Sequence, residues 1–187
     1  YISGYSQAGG TFTGVTTKWV YCSGNASKTS GTITADSLRF DMLENGKVIT
    51  SNNQIAFHTF SASANCTFGS AITFQSRQTV IDSGITLTIS QGCTYRTTWH
   101  YLFAYTNNGI IAGSGVLNFQ GTAAVSPTIN LGIINCVLSF QLTSAAATSN
   151  VIYLGSSLLG TSVVSIYSDH ATYTLSLIHI SEPTRPY

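Results

Sequence analysis

Residues Leu38–Val48 read LRFDMLENGKV, and the way this stretch turns decides the fold. Leu38, Phe40 and Met42 alternate with Arg39 and Asp41, the period-two pattern of a strand with one face on a core. Asn45-Gly46 then supplies the dipeptide favoured in tight primed turns, and Val48 opens another apolar run. The stretch therefore predicts a β-hairpin, with two antiparallel strands joined across Glu44–Lys47.

The same alternation recurs along the chain, at Gln54–Phe60, Ala71–Gln75, Ile85–Ser90, Thr94–Thr106, Gly115–Gln120, Ile134–Thr143, Val151–Gly155 and Thr161–Tyr167. Gly, Ser and Asn separate these runs, and none of the intervening segments holds helical spacing for more than a turn. Short strands at this spacing predict an all-β protein, a two-sheet antiparallel β-sandwich or a barrel. The run from Cys93 puts Cys93, Tyr95, Thr97, Trp99, Tyr101, Phe103 and Tyr105 on one face, which reads as core. Arg96, His100 and Leu102 share the other face, directed to solvent or to a neighbouring subunit.

Composition excludes several partners. The 187 residues are the size of one domain, and only 7% are charged, whereas Ser and Thr number 51. The surface must then be built of hydroxyls and amides. A net charge of +1 with dispersed Lys and Arg leaves no footprint for nucleic acid. No apolar run reaches the roughly 18 residues of a membrane span, so membrane insertion is not expected. The chain lacks an initiator Met and a secretory signal pattern, as a mature region or a fragment of a longer reading frame would.

Cys22, Cys66, Cys93 and Cys136 are an even number at wide spacings, which suits two disulfides and also suits four small buried side chains. Cys136 falls in the alternating row Ile134, Cys136, Leu138, Phe140, Leu142, on a core face in either case. Asn25-Ala26-Ser27 and Asn65-Cys66-Thr67 match the N-glycosylation acceptor pattern.

Catalytic constellations are not expected. Before the last thirteen residues the acids are Asp36, Asp41, Glu44, Asp82 and Asp169, and the histidines are His58, His100 and His170. Asp41 and Glu44 flank the predicted turn, where solvation suits them better than acid–base pairing. Ser168-Asp169-His170 carries the residue types of a hydrolytic triad, but adjacent residues cannot converge as a triad does, and no GxSxG elbow is present. Gly113-Ser114-Gly115 reads as a turn before a strand. The histidines lack metal-ligand spacing, so neither a metal nor a cofactor is expected.

Three pieces resemble a known family. SNNQIAFHTF (Ser51–Phe60), AITFQSRQTVIDSGITLTISQGCTYRTTWHYLFAYT (Ala71–Thr106) and VLSFQLTSAAATSNVIYLGSSLLGTSVVSIYS (Val137–Ser168) are similar to strands of the jelly roll shared by tumour necrosis factor and the globular heads of complement-type proteins. The resemblance is especially to the bacterial version that ends collagen-like spore-surface glycoproteins. The resemblance implies a jelly-roll domain over residues 36–168, preceded by an arm or extra strands at 1–35 and followed by a short tail at 169–174. It also implies a homotrimer displayed outside the cell or on a spore surface, without catalytic residues. Expected roles are a non-enzymatic display or adhesion head that meets a surface glycan or a host protein. Two others stand beside it: a filament or capsid subunit joined by strand exchange, with Thr11–Tyr21 as the detachable strand, and a carbohydrate-binding module using Trp19.

The last residues differ in kind. LSLIHISEPTR (Leu175–Arg185) resembles the in-frame translation of a transposase adapter used in sequencing-library preparation. Residues 175–187 are accordingly expected to be an artefact outside the fold, on an assembled metagenomic fragment.

Overall fold

The chain does turn at Asn45-Gly46, but the strands on either side of that turn do not pair with each other. The computed structural model describes residues 1–12, 19–33, 38–99, 105–121, 131–142 and 163–168. Every strand pairing among them is parallel, and they join into a single 14-stranded sheet wound as a β-solenoid. No antiparallel hairpin closes among the described residues. The expected two-sheet antiparallel sandwich, and with it the jelly roll over 36–168, is therefore overturned. The all-β class stands, with no helix among the described residues.

The pairings fall into three ladders joined by corners. The first holds β1 (Tyr5–Phe12), β3 (Ala26–Ile33), β5 (Lys47–Ser51), β7 (Cys66–Phe68) and β9 (Thr86–Ile89). It continues through the start of β12 (Ile110–Gly121) into the start of β13 (Ile133–Leu142). The second ladder runs from the start of β6 (Ile55–Ala62) through the start of β8 (Thr73–Ile81), β10 (Thr94–Trp99), the end of β12 and the end of β13 to β14 (Val163–Ser168). A third stacks β2 (Trp19–Cys22), β4 (Arg39–Met42), the ends of β6 and β8, and β11 (Tyr105–Asn107). Because β2 and β3 pair with β4 and β5, the described residues before Ala35 belong to the same sheet as those after it.

One turn of the solenoid takes about twenty residues. Val20, Phe40 and Phe60 stack in register, as do Cys22, Met42 and Ala62. Each coil lays its inward side chains on the equivalents in the next, so the apolar period of two is satisfied without a facing sheet. Phe74, Tyr95, Leu117 and Leu138 form one such column, and Cys66, Leu87, Ile111 and Ile134 another. These residues are buried. Phe68 sits at the centre, stacked on Phe74 at 4.3 Å between ring centroids and 5.0 Å from Tyr95. At about 2–3 kcal/mol for a fully buried large apolar side chain, these columns are the main source of stability.

The corner at Asn45-Gly46 shows why a hairpin does not form. Gly46 adopts φ 75°, as a tight turn demands, but its N–H donates to the carbonyl of Asn65 in the next coil, at 2.8 Å. Asn45 Oδ1 in turn accepts from the Asn65 N–H at 2.8 Å. The pattern repeats along the stack: Asn25 Oδ1 accepts from Val48 N–H at 2.9 Å, and Asn65 Oδ1 from Thr86 N–H at 2.7 Å. Polar groups of each corner are satisfied by the neighbouring corner, which fixes coil on coil and leaves the flanking strands to different ladders.

Candidate binding surface on the third ladder

Inward placement of Val20, Cys22, Phe40 and Met42 forces their neighbours outward. Trp19 and Tyr21 on β2 therefore lie beside Arg39 and Asp41 on β4, in the pairs Trp19–Arg39 and Tyr21–Asp41. Ile2 forms a bridge with Cys22, its N–H donating to the Tyr21 carbonyl at 2.8 Å, and this brings Tyr1 onto Tyr21. The three rings make a row. Tyr1 stacks on Tyr21 at 5.0 Å and Tyr21 on Trp19 at 6.1 Å, with the Arg39 guanidinium 5.9 Å from the Trp19 ring centre. Tyr1 is 95% exposed.

Asp41 closes the polar side of this surface. It is 7% exposed, and Ser63 Oγ donates to its Oδ2 at 3.1 Å. Burial raises the pKa of its carboxyl, the Ser63 and Ser61 hydrogen bonds oppose that rise, and the negative charge of Asp82 adds a little to it. Asp41 Oδ1 and Arg39 Nε are buried without hydrogen-bond partners among the described residues.

The residues singled out in the sequence are scattered by the fold. Arg96 lies outward on β10, donating from Nε to Asn118 Oδ1 at 3.2 Å within the second ladder, while His100 and Leu102 lie outside the described residues. Thr94–Thr106 divides, with β10 on the second ladder and β11 on the third. Cys22, Cys66, Cys93 and Cys136 are buried free thiols. Burial pushes Cys66, with the Asp41 charge adding, up to about 12, and Cys93 likewise to about 12; Cys136 rises to about 11. Glu44 pairs with Lys47 at 3.2 Å on the surface of the corner. His58 Nδ1 lies 2.9 Å from Thr59 Oγ1 at the junction of the second and third ladders. Gly113-Ser114-Gly115 is the step by which β12 passes from the first ladder to the second. Asp36, Asp169, His170 and residues 175–187 lie outside the described residues. Among the described residues, no three His, Cys, Asp or Glu gather as a metal set.

Sequence reasoning found Trp19 but not its companions Tyr1, Tyr21 and Arg39. The signal was the twenty-residue spacing of Asn25, Asn45 and Asn65, which sets the coil length and so places Arg39 beside Trp19. No protein-family model, curated protein or solved structure matches the chain.

Proposed function

We propose that the chain is a non-enzymatic adhesion rod, displayed outside the cell, whose third-ladder surface binds an extended carbohydrate. The observation that carries this is the row Tyr1–Tyr21–Trp19 with Arg39 over Trp19. Sugar rings have apolar faces that lie on aromatic rings and hydroxyls that seek charged or amide groups at the rim. A row of three stacked rings, two of them along β2 and the third beside it, suits a run of sugars better than a single small molecule. Low charge and an abundance of Ser and Thr accord with a surface that meets neutral glycans.

Glycan-array and polysaccharide gel-retardation binding test the reading. The wild type is expected to bind a subset of glycans, and Trp19→Ala to abolish that binding with circular dichroism unchanged. A wild type that binds no glycan, or a folded Trp19→Ala protein that binds as before, removes it.

A second reading, assembly by strand addition, is favoured by β1. Its partner among the described residues is β3 alone, so its other edge presents N–H and C=O groups to a further strand. Light scattering over a concentration series separates monomer, trimer and open polymer. Only polymer growth supports this second reading.

A further inference from the structure

Among the described residues Lys28 is the largest charged side chain taken inside the solenoid, at 2% exposure. It lies on β3 in register with Gln7 of β1 and Ser51 of β5, both neutral and both buried. Gln7 Nε2 is already directed to the carbonyls of Gly9, Gly10 and Thr32. Among the described residues no carboxylate is paired with this ammonium. Its Nζ is instead held on Asn53 Oδ1, from the coil that follows. Ser51 Oγ donates to the Asn53 carbonyl at 2.5 Å and lies 3.5 Å from Asn53 Oδ1.

We propose that Lys28 and Asn53 join in an intramolecular isopeptide bond that staples two successive coils. Lys28 Nζ adds to Asn53 Cγ, a Nζ–Cγ bond forms, the Cγ–Nδ2 bond breaks, and Nδ2 departs as ammonia. Starting from the ammonium form, the departing nitrogen carries the surplus proton away as an ammonium ion. Atoms and charge then balance, and no oxidant or cofactor enters. Ser51 Oγ is placed to turn its hydroxyl onto Oδ1, where negative charge collects as the amine adds. Burial lowers the Lys28 pKa, which enlarges the neutral-amine fraction that attacks. Contact between the two side chains across the coils supplies the effective concentration. The product exchanges a buried charge for a neutral amide, relieving the cost of an unpaired interior ammonium.

This inference is independent of glycan binding and is tested on the wild-type chain, purified with β-type circular dichroism, by intact-mass spectrometry under reducing, denaturing conditions. The expected mass is that of the sequence less one ammonia, with a branched proteolytic peptide joining Lys28 to Asn53. Lys28→Arg and Asn53→Ala should each restore the full sequence mass. A wild type at the full sequence mass overturns the proposal. An ammonia loss that persists in Lys28→Arg assigns it to ring closure at Asn45-Gly46 or Asn108-Gly109, and overturns it equally.

Discussion

The hydroxyl of Tyr95 lies 2.7 Å from both Ser76 Oγ and Thr79 Oγ1, inside the solenoid and out of contact with solvent. Ser76 and Thr79 bracket the corner of β8 between the second and third ladders, and Tyr95 belongs to the next coil. Burial pushes the Tyr95 hydroxyl well above its usual pKa while the two hydroxyls oppose the rise, so it works as a neutral donor and acceptor. Tyr95→Phe keeps the ring in its column and leaves Ser76 and Thr79 only 2.9 Å from each other. The expected loss is about 1–2 kcal/mol in urea unfolding, with the slope unchanged.

The corner asparagines act as acceptors for the following coil. Asn65→Ala removes the partner of the Thr86 N–H and should cost about 1 kcal/mol. Asn65→Asp keeps an acceptor at the same place and should fall close to the wild type in the same measurement. Equal losses in the two variants would show that the hydrogen bond contributes nothing.

Two glycines separate backbone strain from crowding. Gly46 has φ 75° and open space where a Cβ would go, so Gly46→Ala bears only the left-handed backbone, about 1–2 kcal/mol. Gly113 has φ 117°, and a Cβ there would come 2.2 Å from the Ile89 carbonyl oxygen of the adjoining strand. Gly113→Ala should therefore lower the thermal midpoint clearly more than Gly46→Ala.

Asp41 makes stability depend on acid. Its carboxyl has a raised pKa when folded, so its favourable contribution is complete below the unfolded value of 3.8 and is lost as pH rises through the folded pKa. At neutral pH the ionised group is a net cost. Asp41→Asn should raise the melting temperature at pH 7 and flatten its dependence between pH 4 and the folded pKa, as thermal scans across a pH series would show. A fall in melting temperature at pH 7 would mean that the carboxylate is needed in its charged form.

Thiol labelling reports both the burial and the redox state of the cysteines. With all four buried and three thiol pKa values raised, native protein at pH 8 should label slowly or not at all, and urea without reductant should expose four reactive thiols. Two disulfides would instead leave no thiol to label in urea until a reductant is added.

Much of the local structure was legible. Leu38, Phe40 and Met42 do face the core, as do Cys93, Tyr95 and Thr97, and the turn at Asn45-Gly46 forms. The binding surface was legible only in part, because Trp19 is conspicuous whereas Arg39 reaches it through a neighbour twenty residues away. Asn25, Asn45 and Asn65, with Cys22, Met42 and Ala62, carried that spacing, but the residues of each column differ enough to conceal the repeat.

By itself the sequence determined that the chain is built of strands, which of their side chains turn inward, and where the chain must bend, since alternation and turn chemistry act within a few residues. Only the tertiary structure decided which strand pairs with which. Antiparallel neighbours and stacked coils impose the same alternation on a strand with one buried face, so period two cannot distinguish them. The choice was made by contacts about twenty residues apart, where the Asn45 side chain meets the Asn65 amide and Phe40 meets the column of Phe60.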